Sequence, residues 1–207
     1  MKLWFTWHFE ELENVPAEGP AIVACNHISY LDPLGNAYAV IKAGRRPRFL
    51  AKEELFKIPL VGTALRGAGQ IPVDRGKSGD PSPLNFAQEA LRAGEVVVIY
   101  PEGTVTDSPD SMPMQGRTGV VRLSLATGVP IVPMASWGSQ AVWQKTGRGS
   151  LKFGRPVWVK AGSPIDLSTH VAERDDREVL RKLTADVMAE IASIVEDLRA
   201  RYPKRWA

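Results

Sequence analysis

The chain has 207 residues, of which 44% are hydrophobic and 24% charged, and its formal net charge is +3 at pH 7. This composition excludes a disordered chain, and the length fits one large domain that covers residues 1–207. The single cysteine, Cys25, excludes an internal disulfide and a multi-cysteine metal site, and no apolar run reaches the roughly 18 residues that span a bilayer. We therefore expect a reducing compartment, the cytoplasm, and at most a peripheral contact with a membrane.

Short apolar runs alternate with helical patterns along the chain, which is typical of an α/β domain with a largely parallel sheet. Near the N-terminus, Phe5, Trp7 and Phe9 alternate with polar or smaller residues and predict an outer strand. Buried strands are predicted at Ala21–Cys25, Arg48–Ala51, Gly69–Val73, Val96–Tyr100, Ile131–Ala135 and Val157–Ala161. Helices are predicted at about Leu31–Ala43, from Ser82 to a stop at Gly94, at Arg117–Thr127 and from Asp176 onward.

The first chemically informative stretch is NHISYLD, residues 26–32. His27 follows a predicted buried strand, and ligands of open α/β sheets collect beyond the carboxyl ends of the strands. Asp32 lies early in the next helix, so its carboxylate could bind a ring nitrogen of His27, fix the tautomer and raise the basicity of the other nitrogen. From these two residues alone, a chance pairing with a packing histidine stays open.

Three later segments end predicted strands at the same edge. In GQIPVDR, residues 69–75, Asp74 and Arg75 leave a strand where a guanidinium could bind a phosphate, although a surface ion pair is the alternative. In YPEGT, residues 100–104, Glu102, Gly103 and Thr104 form a turn whose N–H groups and hydroxyl could contact an anion or a diol. The strand IVPMA, residues 131–135, lines the same edge or simply belongs to the core.

In this order the four blocks resemble those of the glycerolipid acyltransferase family, which includes 1-acylglycerol-3-phosphate acyltransferase. The resemblance implies an α/β fold with a mixed, mostly parallel central sheet flanked by helices. It implies that His27 is the catalytic base of the HxxxxD motif and Asp32 its orienting aspartate. It also assigns substrate binding to residues of three blocks, namely Asn26, Asp74, Arg75, Glu102, Gly103 and Thr104.

The implied reaction moves a fatty acyl chain from acyl-CoA or an acyl carrier protein to a hydroxyl of lysophosphatidate or a related lysolipid in phospholipid biosynthesis. An alcohol is a poor nucleophile, so a positioned base is what this step requires, and neither a cofactor nor a metal is expected. Backbone N–H groups near the site are expected to stabilise the oxyanion. Cys25 is a minor alternative as a nucleophile paired with His27.

The sequence departs from the family at residue 105. The third block usually reads EGTR, with an arginine thought to bind the acceptor phosphate, and this chain has Val105. Arg117, in MQGRTG at the start of a predicted helix, could supply the missing charge together with the helix N-terminus. Lys52 is a further candidate phosphate ligand, with a solvated lysine beside Glu53 and Glu54 as the alternative.

Several functions stay open beside the leading one. Val105 leaves glycerol 3-phosphate, a lysophospholipid or a glycolipid as acceptors, and a thioesterase could use the same base with water. A non-catalytic lipid-binding protein is a less favoured alternative. Nucleic acid is not an expected partner, because the basic clusters lack the interleaved aromatic residues of a recognisable module.

We expect the protein to lie peripherally on the cytoplasmic face of the cell membrane, in contact with anionic lipid. The candidate contacts are Trp4, Phe5, Trp7 and Phe9, or the C-terminal tail RARYPKRWA with Trp206 among cations. Packing of the N-terminal aromatic residues in the core is the alternative.

Overall fold

The computed structural model describes residues 4–73, 82–147 and 149–206. Asp74 and Arg75, both predicted to contact substrate, lie outside the described residues. The described part contains seven strands, which are β1 (Phe5–Glu10), β2 (Ala21–Cys25), β3 (Pro47–Lys52), β4 (Ile71–Val73), β5 (Val96–Ile99), β6 (Ile131–Trp137) and β7 (Arg155–Ala161).

These strands form one sheet in the order β1-β7-β6-β2-β5-β3-β4. Five of the neighbouring pairs are parallel, and β6 with β7 is the antiparallel pair. The predicted mixed, mostly parallel sheet is therefore confirmed. β2 lies in the middle of the sheet, between β5 and β6. His27 follows its carboxyl end and therefore lies at the centre of the edge where ligands of such sheets bind.

β2 has the predicted bounds, and the bounds of the other predicted buried strands differ by one or two residues. β4 begins at Ile71 rather than Gly69, because Gly69 adopts φ +67° and belongs to the preceding turn. β7 begins at Arg155, two residues before the predicted start. The predicted outer strand is confirmed as β1, which pairs with β7 at the edge of the sheet.

Six helices accompany the sheet in the described ranges, namely α1 (Asp32–Lys42), α2 (Glu53–Phe56), α3 (Val61–Gly67), α4 (Ser82–Arg92), α5 (Gly119–Thr127) and α6 (Arg177–Arg201). The four predicted helices are present, and α2 and α3 were missed because they are too short for a clear period of 3.6 residues. α5 begins two residues later than predicted, so Arg117 precedes the helix. At α6, the Asp176 side chain accepts from the N–H groups of Glu178 and Val179, as an N-cap should.

The hydrophobic core lies on both faces of the sheet. Ile22 and Ala24 of β2 point to one face, where they join residues of α4, α5 and α6. Ala21, Val23 and Cys25 point to the other face, where they join residues of α1. This alternation follows from the two-residue period of a strand and leaves β2 covered on both sides.

The N-terminal aromatic residues divide between the core and the surface. Trp7 and Phe9 contact the ring of Tyr38 in α1, with centroids 5.9 and 5.1 Å away, while Trp4 is 49% exposed. The Trp206 ring of the C-terminal tail packs against the Arg155 guanidinium at 5.1 Å. Among the described residues, no helix has the length and apolar character needed to cross a bilayer.

Candidate active site

His27 and Asp32 form a hydrogen-bonded pair at the carboxyl end of β2. His27 Nδ1 lies 3.1 Å from Asp32 Oδ2, and the two side chains are 13% and 0% exposed. An ionised carboxylate can only accept, so Nδ1 carries the proton and Nε2 has a free lone pair. In the neutral ring, this bond to the buried carboxylate fixes the tautomer that leaves Nε2 as the acceptor.

The Asp32 carboxylate is held by further donors. Oδ2 accepts from the backbone N–H groups of Ile28 and Ser29, each at 2.7 Å, and Oδ1 accepts from Ser139 Oγ at 2.6 Å. These bonds compensate the anion for burial and fix its orientation toward His27. Ser139 escaped the sequence reasoning because it is 107 positions away in the chain and belongs to none of the four blocks.

Tyr100 and Cys25 are neighbours of His27. The Tyr100 ring stacks on the His27 imidazole with centroids 4.2 Å apart, and its hydroxyl accepts from Asn36 Nδ2 at 3.1 Å. Burial raises the pKa of the Tyr100 hydroxyl well above its ordinary value, and burial does the same to the pKa of the Cys25 thiol. The Cys25 side chain is fully buried as a neutral thiol, so it is not placed to act as a nucleophile.

Glu102 connects the turn after β5 to the His27 loop. Its Oε1 accepts from the His27 N–H at 2.8 Å, and its Oε2 accepts from the Met114 N–H at 3.0 Å. Burial raises the pKa of the Glu102 carboxyl, while the two N–H donors lower it. Both carboxylate oxygens thus stabilise the local backbone, and the predicted contact of Glu102 with substrate stays a prediction.

Asn26 has a comparable supporting position. Its Nδ2 donates to Ser136 O at 3.1 Å, and its Oδ1 accepts from Ser136 N–H at 2.9 Å. The buried amide therefore extends the pairing of β2 with β6 by one more rung. Its predicted contact with substrate is not tested by this arrangement and stays a prediction.

Arg117 lies against the turn that contains Gly103. A Cβ at Gly103, which adopts φ +73°, would lie 3.1 Å from Arg117 Nε, and Arg117 N–H donates to Pro101 O at 2.9 Å. Val105 is only 3% exposed, whereas Arg117 is exposed. The fold thus brings a guanidinium to Gly103 and the half-buried Thr104 while the side chain at position 105 packs in the core.

Lys52 has its recorded contact with Glu54 rather than with a residue of this site. Its Nζ lies 3.3 Å from Glu54 Oε1, and both side chains are about half exposed. The described residues contain no cluster of three or more His, Cys, Asp or Glu side chains that could hold a metal ion. The catalytic and substrate-binding roles assigned from the sequence stay predictions.

We expect Glu102→Gln to lower the free energy of unfolding at pH 7 by about 1–3 kcal/mol, because an amide has one acceptor oxygen for two N–H donors. Urea unfolding followed by circular dichroism measures this. The raised pKa means that the folded state holds the Glu102 proton more tightly than the unfolded state. Stability from this group therefore falls as the pH rises through the interval between the two pKa values, and the variant should lack that component.

Asp107→Asn is the matched control for Glu102→Gln. Asp107 follows on the same segment but is exposed and pairs with Lys145 at 2.8 Å, so we expect a change below about 0.5 kcal/mol. Equal losses in the two variants would contradict a specific bracing role for Glu102.

Comparisons with known proteins agree with this arrangement. The acyltransferase family model matches residues 6–137, a range that contains the His27–Asp32 pair and the Glu102 turn. The chain is 30% identical over 147 residues to the 1-acyl-sn-glycerol-3-phosphate acyltransferase of Bacillus subtilis, covering 70% of each protein. It is 31% identical over 152 residues to a chloroplastic 1-acyl-sn-glycerol-3-phosphate acyltransferase of Arabidopsis thaliana.

A solved structure shows the same fold. The crystal structure of the 1-acyl-sn-glycerophosphate acyltransferase PlsC from Thermotoga maritima aligns with a TM-score of 0.71 and 30% identity, covering 98% of this chain and 76% of that chain. The Arabidopsis match covers 71% of this chain, and the chain spans only 40% of the length of that relative.

Proposed function

Because the chain belongs to the acyltransferase family, we propose that it transfers a fatty acyl group from a thioester to a hydroxyl of lysophosphatidate. The observation that carries the proposal is the His27 imidazole, held by the buried Asp32 carboxylate and partly exposed at the carboxyl edge of the sheet. The names of the bacterial and plant relatives support lysophosphatidate as acceptor.

The step follows from the chemistry of the pair. His27 Nε2 takes the proton of the acceptor hydroxyl as the oxygen attacks the thioester carbonyl carbon. The tetrahedral intermediate then breaks its C–S bond, and the leaving thiolate takes the proton back from the imidazolium. Asp32 stabilises the positive ring during this interval, because its carboxylate stays 3.1 Å from Nδ1.

The acceptor phosphate is assigned to Arg117 and the turn at Gly103. The guanidinium lies against that turn, where it supplies a cation in place of the arginine absent at position 105. The backbone of the turn at Gly103 comes within reach of the same anion, because Gly103 has no Cβ to shield it. Val105 supports this assignment, since a buried side chain at that position would not reach solvent.

Arg117→Ala should raise the KM for lysophosphatidate by roughly 10- to 100-fold with little change in kcat, because a charge-assisted bond to phosphate is lost. Steady-state kinetics with varied acceptor measure this. Arg122→Ala is the control, since Arg122 lies exposed on α5 and its Nε contacts Thr118 Oγ1. An unchanged KM for Arg117→Ala would remove Arg117 from the phosphate site.

The proposed activity is tested by incubating purified protein with palmitoyl-CoA and one acceptor at a time. Lysophosphatidate, glycerol 3-phosphate, a lysophospholipid and a glycolipid are compared, and the lipid product is identified by mass spectrometry. Formation of phosphatidate supports the proposal. Thiol release that does not increase with any acceptor indicates a thioesterase instead. Repeating the assay with acyl carrier protein as donor decides between the two thioesters.

We further propose that the reaction needs no cofactor and takes place at a membrane surface. The protein works without a cofactor, because a thioester is reactive enough to be attacked by a deprotonated alcohol. A lysolipid resides in a membrane, so the enzyme acts peripherally at the cytoplasmic face of the cell membrane. Activity that survives exhaustive dialysis against a chelator supports a reaction that needs no metal ion or dissociable cofactor.

A further inference from the structure

Exposed apolar side chains concentrate at one edge of the fold. The described residues contain thirteen large apolar or aromatic side chains that are at least 39% exposed. Ile41, Phe86 and Val171 lie elsewhere, and Leu34 lies in the first turn of α1. The other nine form two groups that follow or precede strands at the carboxyl edge, where His27 lies. Single exposed apolar residues are ordinary on a protein surface, but a concentration at one edge marks an interaction site.

The first group, which we call the aromatic patch, consists of Trp4, Tyr30, Trp143, Leu151 and Phe153, which are 47–71% exposed. β7 runs antiparallel to β6, so residues that precede β7 and its parallel neighbour β1 lie where β2 and β6 end. The patch therefore sits at the catalytic edge.

Contacts hold the aromatic patch in one shape. The Trp4 ring meets Phe153 edge-on at 6.2 Å, and Trp4 Nε1 donates to Leu151 O at 3.0 Å. The Tyr30 ring lies 5.4 Å from that of Trp143, whose carbonyl accepts from Ser29 Oγ at 2.7 Å. Ser29 in turn donates its N–H to the Asp32 carboxylate, so the patch is connected to the catalytic pair.

The second group, the leucine patch, consists of Leu55, Ile58, Leu60 and Val61 in the α2–α3 hairpin. β3 and β4 are parallel, so the chain leaves β3 at the carboxyl edge and α3 returns it to the amino edge. The hairpin thus begins at the catalytic edge, on the other side of His27 from the aromatic patch.

Close backbone packing shapes the leucine patch. A Cβ at Gly62 would overlap the Phe56 carbonyl, so glycine allows α3 to pack directly on the end of α2. Leu60 is 85% exposed and adopts φ +66°, a conformation that is costly for a branched side chain. The fold therefore holds Leu60, the most exposed leucine among the described residues, away from the core.

The two patches lie on either side of the catalytic pair along the same edge of the sheet. β7 and β3 are four strand positions apart with β2 between them, which corresponds to about 19 Å across the edge. Lys152 stands between Leu151 and Phe153, whereas Lys57 of the α2–α3 hairpin pairs with Glu53, with 3.1 Å between Nζ and Oε1. Tryptophan, tyrosine and lysine beside apolar side chains are the composition that suits the interface of a bilayer.

We propose that the aromatic and leucine patches dock together on a phospholipid bilayer and place the catalytic edge against it. This rests on the proposed function in one respect, since an acceptor that resides in the bilayer explains why both patches flank His27. Trp and Leu side chains enter the boundary between headgroups and acyl chains, and Lys152 contacts an anionic headgroup. The docked protein takes its lipid acceptor without releasing it into water.

The test compares four single variants of the full chain by sedimentation with vesicles of phosphatidylcholine and phosphatidylglycerol. Leu60→Ser and Phe153→Ser each remove one exposed side chain from a patch. Ile41→Ser and Phe86→Ser are matched controls, since these residues are 57% and 48% exposed but lie outside the patches. We expect roughly tenfold weaker vesicle binding for each patch variant and a change below about twofold for each control.

The outcomes separate docking from catalysis. Turnover of short-chain substrates that dissolve as monomers should be equal in all four variants, because no variant touches the catalytic pair. Equal vesicle binding by all four variants would overturn the proposal. Patch variants that change only the oligomeric state would overturn it in favour of contact with a second copy of the chain. Patch variants that weaken only the binding of acyl carrier protein would overturn it in favour of contact with a protein donor. A wild type that binds vesicles but turns over no soluble substrate would refute the proposed function and leave docking intact.

Discussion

His27→Ala is expected to lower acyl transfer by about a thousandfold or more, with the KM values for donor and acceptor nearly unchanged. The reason is that the acceptor hydroxyl loses its base, while no other imidazole among the described residues lies at the carboxyl edge beside Asp32. The measurement is phosphatidate formation from palmitoyl-CoA and lysophosphatidate by mass spectrometry. Thiol release is followed in parallel, so that acyl transfer to water is detected as well.

His170→Ala is the control for this variant. His170 Nδ1 lies 2.8 Å from Glu173 Oε2, so the chain contains a second histidine–carboxylate pair of similar geometry. That pair is exposed and lies in the segment before α6. We expect full activity from His170→Ala. Activity retained by His27→Ala at more than about a tenth of wild type would exclude His27 as the general base.

Asp32→Asn is expected to lower kcat by about 100- to 10,000-fold while the protein remains folded. The amide has a single acceptor oxygen, whereas the Asp32 carboxylate accepts from Ile28, Ser29, His27 and Ser139. An amino group directed at Nδ1 would force the proton to the other ring nitrogen, which is the one that must accept from substrate. The comparison of kcat with KM separates this effect from lost binding.

Ser139→Ala divides the effect of Asp32 into two parts. It leaves the carboxylate and the bond to Nδ1 in place and removes the hydroxyl that donates to Oδ1 at 2.6 Å. We expect a loss in kcat of roughly tenfold, intermediate between wild type and Asp32→Asn. If Ser139→Ala and Asp32→Asn were equally inactive and both partly unfolded by circular dichroism, Asp32 would be a structural residue instead.

The sequence predicted the parts of the site that depend on short separations. His27 and Asp32 are five residues apart, and the strand before them fixes their place at the carboxyl edge, so the pair could be anticipated. Arg117 was proposed from the sequence to replace the arginine missing at position 105, and its place beside Gly103 emerged only from the structure. The mostly parallel sheet followed from the alternation of apolar runs and helical patterns.

Other parts of the site arise only from tertiary packing. Ser139 reaches Asp32 because β6 lies beside β2, a neighbour relation that no local pattern encodes. The Glu102 carboxylate accepts from two backbone N–H groups. The sequence of the turn does not show this role, because one donor is 75 residues away in the chain. The α2 and α3 helices were missed because four and seven residues are too few to show a period of 3.6.

The buried thiol of Cys25 makes the strand that carries His27 observable in solution. Cys25 is the only cysteine of the chain, and its side chain is inaccessible on β2, two positions before His27. A thiol reagent can therefore report coenzyme A release without a background from the folded protein. Over a longer time, the rate at which the same reagent labels Cys25 measures local opening of β2. One reagent therefore measures both turnover and the local stability of the strand that precedes His27.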